Sequence, residues 1–136
     1  MRELMIKTLR ADKNLERLPL EAIENLVDRM ITTNQFVMEE HGFAFYVRCS
    51  DELLAKIEAN KEYLIYPDLA QRLLSGSGEH VHFIGIYSTK PNSNGYHSIL
   101  RGLENVAKKE KPRSISWYDR FFQKFIIRRL KWEQPR

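Results

Sequence analysis

His80 and His82 stand on either side of Val81 at the head of an apolar run, Val81-His82-Phe83-Ile84-Gly85-Ile86-Tyr87. On a regular strand both imidazoles point to one face. That spacing could share a metal, but only Glu79 adjoins the pair and no cysteine, aspartate or further histidine completes a set, so no metal centre is expected. His82 lies on a central strand beside a ligand-type loop and is the candidate general acid or base; the alternative is a histidine hydrogen-bonded at a sheet end. The loop is Ser88-Thr89-Lys90-Pro91-Asn92-Ser93-Asn94-Gly95, dense in turn residues and followed by a helical pattern. A glycine-containing loop that feeds a helix N-terminus exposes unpaired N–H groups in a favourable dipole, an arrangement that binds phosphate or pyrophosphate. Asn92, Ser93, Asn94 and Gly95 are small and turn-competent, and Lys90 adds a charge. The loop matches neither the Walker nor the dinucleotide fingerprint, and a plain polar connection is its other reading.

Other groups offer less. Cys49 has no base beside it in sequence and reads as buried packing. His41, in a turn, is expected to be solvated. No glycosidase-like carboxylate pair or serine-nucleophile elbow is present. The tract containing Arg113, Trp117, Tyr118, Arg120, Lys124, Arg128, Arg129, Lys131 and Trp132 interleaves cations with aromatics, as single-stranded nucleic acid or another anionic partner would need. The same tract would also suit an edge hairpin guarded by charge. Residues 1–100 carry 11 Lys/Arg against 14 Asp/Glu, a balance of −3, whereas residues 101–136 carry 11 against 4, a balance of +7. The overall +4 therefore combines an acidic body with a cationic end.

The elements that must position these groups are legible from periodicity. Leu4 to Leu9 is a candidate strand. Pro19 suits the start of a helix, and Leu20, Ile23, Leu26, Val27, Met30 and Ile31 recur at three- and four-residue spacing as its apolar face, ending near Thr32-Thr33-Asn34. Phe36–Glu39 and Phe43–Cys49 flank His41-Gly42 as a hairpin, the second arm with one core face and one mixed face. Ser50 is a candidate N-cap for a short helix through Asn60, with Asp51 and Glu52 in its first turn. A second short helix begins at Pro67 and stops at Gly76. Val81 to Tyr87 reads as a central strand covered on both faces. A helix follows over about Tyr96–Lys109, then a strand over Ser114–Tyr118. The segment Phe121–Trp132 suits either a basic amphipathic helix or a strand; we prefer a strand paired with Ser114–Tyr118 through a turn near Asp119-Arg120.

At 136 residues the chain fits one domain, able to bury roughly two thirds of its unfolded surface without disulfides. One cysteine permits no intrachain disulfide. No apolar run approaches the roughly 18–20 residues that span a bilayer. The opening Met1-Arg2-Glu3-Leu4 has no apolar signal core, so a cytoplasmic location is expected.

This order of elements resembles the GNAT-type acyltransferase fold, and within it the toxin-activating lysine acyltransferases and small phage-encoded relatives. The points of contact are Leu18-Pro19-Leu20 opening the long helix, Asn34-Gln35 with the following hairpin, Ser75-Gly76 before the central strand, and the strand around Ile115-Ser116-Trp117. The resemblance implies a single α/β (α+β) GNAT-like domain over residues 1–136, a mixed, mostly antiparallel sheet with helices on both faces. It implies a splay between the central strand and the next, holding the pantetheine arm of an acetyl-CoA, a longer acyl-CoA or an acyl-carrier thioester. Lys90, Asn92, Ser93, Asn94 and Gly95 would receive the donor phosphates, His82 or Tyr118 would assist proton transfer, and a protein or small amine would accept the acyl group. The family's pyrophosphate loop (Arg or Gln, two residues, Gly, one residue, Gly or Ala) retains only Gly95 here. The catalytic His before the long helix and the Asp on the central strand are missing, since the first histidine is His41 and Ile84-Gly85 fill the strand. A second expectation follows: a catalytically inactive GNAT-like accessory or virion protein, in a host cytoplasm or virion, acting through the basic C-terminal hairpin.

Overall fold

The computed structural model describes residues 1–59, 77–89, 95–119 and 123–132. Among them are four helices, α1 (Arg2–Ala11), α2 (Leu20–Thr32), α3 (Asp51–Ala59) and α4 (Gly95–Glu110). The five strands are β1 (Phe36–Glu39), β2 (Gly42–Cys49), β3 (His80–Ser88), β4 (Ser114–Asp119) and β5 (Lys124–Arg129). They form one sheet in the order β1-β2-β3-β4-β5. The hairpins β1/β2 and β4/β5 are antiparallel, whereas β3 and β4 run parallel with α4 as their crossover. The fold is thus mixed α/β of the α+β kind. Among the described residues no helix is long and apolar enough to cross a membrane, and no group of three His, Cys, Asp or Glu side chains could hold a metal.

The chain forms two compact units, Met1–Phe45 with Gly85–Leu103, and Tyr46–Ile84 with Glu104–Arg136. In the first, the segment expected as a strand over Leu4–Leu9 is the helix α1. Met5 and Leu9, four residues apart, are both fully buried, and Glu, Leu, Met and Lys all favour a helix. Consecutive apolar residues at Leu4, Met5 and Ile6 fit a strand or a helix, and the buried i, i+4 pair decides the period. Arg2 ties α1 to α2 through Asp28 at 2.6 Å and Glu24 at 3.3 Å. Pro19 occupies the N-cap of α2, one residue before the helix, and Ile23, Val27 and Met30 form its buried stripe. Phe43, Phe45 and Tyr87 cluster with ring centroids 5.2–6.4 Å apart, and the Tyr87 ring fills the space a side chain at Gly85 would need. A side chain at Gly102 would meet Val37, so glycine lets α4 approach β1.

In the second unit, Tyr46 packs edge-on against Phe83 at 5.9 Å and its hydroxyl donates to Glu110 at 3.3 Å. The last turn of α4 therefore covers the Phe83 side of β3. β2 has its core face in Phe43, Phe45 and Val47 and the expected mixed face in Ala44, Tyr46 and Arg48; every residue from Gly42 to Val47 is buried. Arg48, the half-buried exception, donates to the Gly78 carbonyl at 2.8 Å and to Glu110 at 2.8 Å and 3.0 Å. Ser50 caps α3 as expected, its hydroxyl accepting from the Leu53 N–H at 3.2 Å. The segment Phe121–Trp132 contains a strand over Lys124–Arg129, paired to β4 from Asp119↔Lys124 to Ser114↔Arg129. The expected helix from Pro67 lies outside the described residues.

Candidate functional site

The parallel register sets the polar centre of the second unit. It pairs His80 with Ser114 and His82 with Ser116. Paired residues share a face of the sheet, so two imidazoles meet two hydroxyls one above the other. His80 Nδ1 lies 2.7 Å from Ser114 Oγ, and His82 Nδ1 lies 2.8 Å from Ser116 Oγ. All four residues are buried, at 9% exposure or less.

The two rungs then diverge. His80 Nε2 reaches the Asp51 carboxylate at 2.5 Å, and Asp51 stands in the first turn of α3 with its side chain 80% exposed. Asp51 accepts from Nε2–H, so in the neutral ring Nδ1 accepts from the Ser114 hydroxyl. The hydrogen bond from His80, aided by the charges of His80 and Arg113, holds the Asp51 carboxyl below the usual range against a smaller opposing desolvation. Arg113 is itself fixed to Glu79 at 2.6 Å. The result is a chain Ser114–His80–Asp51 that runs from the interior to the surface.

His82 has no such outlet. It is fully buried, stacks on Phe125 with centroids 5.6 Å apart and planes 14° apart, and its Nε2 has no hydrogen-bond partner among the described residues. Burial pushes its pKa down to about 3, so the ring is neutral at ordinary pH. A neutral imidazole carries one donor and one acceptor nitrogen, and the Ser116 hydroxyl can serve either; in both tautomers Nε2 stays unsatisfied.

Of the residues singled out from sequence, the structure brings His82 and Tyr118 to one face. Tyr118 lies two residues beyond Ser116, opposite Phe125 in the β4/β5 register, and is half-buried. Gly95 is the first residue of α4, whose first turn carries no acid. Lys90, Asn92, Ser93 and Asn94 lie outside the described residues. Cys49 is buried and its thiol is pushed up to about 11 by that burial, which makes it a poor nucleophile at neutral pH. The His41 ring is 36% exposed, and its backbone carbonyl accepts from the Thr89 N–H at 3.0 Å.

Sequence reasoning missed Ser114, Ser116 and Asp51 as partners. The signal was present: His80-x-His82 and Ser114-x-Ser116 have the same two-residue period, on strands whose helical crossover makes them parallel. Asp51 carried no signal beyond its place in a helix first turn. Compared with known families, the sequence matches no family model, and a search of curated proteins finds no match to it.

Proposed function

We propose that the protein binds an acyl-thioester donor in the manner of the GNAT fold, with the β3–loop–α4 connection taking the donor's phosphates. The observation that carries this reading is the parallel pair β3/β4, joined by α4, within a sheet whose two outer hairpins are antiparallel. The four-pair register ends at Phe83↔Trp117, and β4 continues to Tyr118 and Asp119. In this reading Lys90, Asn92, Ser93, Asn94 and Gly95 hold the phosphates of acetyl-CoA or a longer acyl-CoA, at a helix start free of acidic side chains.

Transfer to an amine requires attack on the thioester carbonyl, C–N bond formation and C–S bond cleavage. A proton leaves the amine and another reaches the departing thiolate. His82, with a pKa near 3, is too weak a base to drive the first of these transfers. Its part in this reading is to hold Ser116 and Phe125, and so to fix β4 and β5. Tyr118 is the group assigned to return a proton to the thiolate. The sealed state of His82 favours a second reading, donor-type binding without turnover, in a protein that works as an accessory or virion component.

Thermal unfolding with CoA, acetyl-CoA and longer acyl-CoAs tests the donor site. Ligand at ten times its Kd should raise Tm by about 5 °C for a chain of this size. No shift at millimolar ligand would sink the reading. A shift with CoA, together with no release of free thiol from acetyl-CoA over amine-bearing acceptors, would select binding without turnover.

A further inference from the structure

β5 is the last strand in the sheet order, so one of its edges has no strand beside it among the described residues. The Leu130 N–H donates to the Arg113 carbonyl at 2.9 Å, in step with the pairs Ile115↔Arg128, Trp117↔Ile126 and Asp119↔Lys124. By the alternation of an antiparallel ladder, Lys124, Ile126 and Arg128 turn their backbone groups toward β4. Those of Phe125, Ile127 and Arg129 therefore face outward, three donors and three acceptors at two-residue intervals.

The side chains along this edge have one sign. Residues 120–132 contain five Lys or Arg and no Asp or Glu. Lys124, Arg128, Arg129 and Lys131 are exposed and make no ion pair among the described residues. Ile127, a large apolar side chain, is 37% exposed between them. Cations alone would fit nucleic acid as well as an acidic polypeptide, but two of the rings beside them are already engaged. Phe125 already stacks on His82, and the Trp132 indole N–H is held by the Pro112 carbonyl at 2.7 Å. The edge itself offers backbone hydrogen bonding, the apolar contact of Ile127 and positive charge. That combination suits strand addition.

We propose that the outer edge of β5 takes up an extended acidic polypeptide segment as a sixth strand. Backbone groups of Phe125, Ile127 and Arg129 pair with the segment, Ile127 contacts a β-branched side chain on it, and Lys124, Arg128, Arg129 and Lys131 meet its carboxylates. The inference is independent of the donor site.

The probe is a fluorescein-labelled ten-residue peptide of alternating Glu and Val, followed by anisotropy. Three comparison ligands are its Gln/Val counterpart, the same peptide N-methylated at alternate residues on its pairing edge, and a ten-nucleotide oligo-dT. The Glu/Val peptide should bind, with affinity falling as salt rises. N-methylation and the Ile127→Pro substitution should each weaken binding by roughly tenfold or more, since each removes outward pairing. Proline at 127 takes away an N–H that β4 does not use, so Tm should stay near that of the wild type. The methylated peptide gives the same reading without altering the protein, should the proline variant fold poorly. Absence of binding at millimolar peptide, indifference to N-methylation, or a preference for oligo-dT over the peptide would each overturn the proposal.

Discussion

Acidification from pH 7 to pH 5 should destabilise this protein through His82. The ring's folded pKa is depressed from 6.5 to about 3 by burial, while the unfolded chain titrates it near 6.5. Between those values the unfolded state binds a proton that the folded state refuses. Stability from this group is therefore complete above pH 6.5 and is lost progressively as pH falls toward 3. From pH 7 to pH 5 the loss works out at about 2 kcal/mol, or roughly 5–7 °C in Tm for a chain of this size. Asp51 also loses stability on acidification, because its folded pKa is depressed, but only below its ordinary value of 3.8, so it leaves the pH 5–7 window clear. Urea unfolding at pH 7, 6 and 5 measures the slope, and His82→Leu supplies the control. The variant leaves the Ser116 hydroxyl unpaired at every pH, which shifts its stability without tilting the curve. The wild-type minus variant difference should carry the 2 kcal/mol. Equal slopes in the two proteins would refute the claim that His82 is held neutral inside the fold.

Two further substitutions follow from the same unit. Ser116→Ala removes the one hydrogen bond that the His82 ring makes among the described residues, which should cost about 1–3 kcal/mol; with His82→Leu added the loss should largely vanish, so a double-mutant cycle in urea should give a coupling above about 1 kcal/mol. At Gly78 a Cβ would land on the Cys49 carbonyl and the Ser50 nitrogen, backbone that cannot swing aside. Gly78→Ala should therefore cost about 1–3 kcal/mol in thermal or urea unfolding, and a variant as stable as wild type would show that the loop before β3 does not lie against Cys49.

The elements were readable where a single period dominated. α2 announced itself through the spacing of Leu20, Ile23, Leu26, Val27, Met30 and Ile31, of which Ile23, Val27 and Met30 are buried and Leu20 is exposed. β3 was readable as a doubly covered strand because it carries apolar residues on both parities. β5 could be separated from a helix because its best partner, Ser114–Tyr118, lay one turn away, and short hairpin closure is cheap. α1 was misread for a physical reason. Leu4-Met5-Ile6 is apolar at consecutive positions, and only Met5 and Leu9 go inside, while Leu4 stays 42% exposed. The hydrophobic content of a segment does not fix its period when part of that content faces solvent. On β2 the alternation was legible as a core face of Phe43, Phe45 and Val47 and a mixed face of Ala44, Tyr46 and Arg48. The partner of Tyr46 and Arg48, Glu110, lies more than sixty residues on in the chain and gave no local signal.

The candidate site shows why residue types were legible and roles were not. His80 and His82 look equivalent in sequence, two residues apart on one face, each with a serine at its register partner. Their chemistry is set by what meets Nε2. Asp51 reaches the first ring from α3 and connects it to the surface; the second ring meets the face of Phe125 and has no partner at Nε2 among the described residues. On sequence, His82 is the proton-transfer candidate because it lies on a central strand beside a ligand-type loop. Burial without a counter-charge drives its imidazole neutral and weakens it as a base. A group that must exchange protons needs a compensating partner and a route to solvent, and in this ladder His80 has both. Asp51→Asn therefore separates the two rungs: it weakens the hydrogen bond at His80 Nε2 and should lower stability in urea at pH 7, while the difference that His82→Leu makes between pH 7 and pH 5 stays intact.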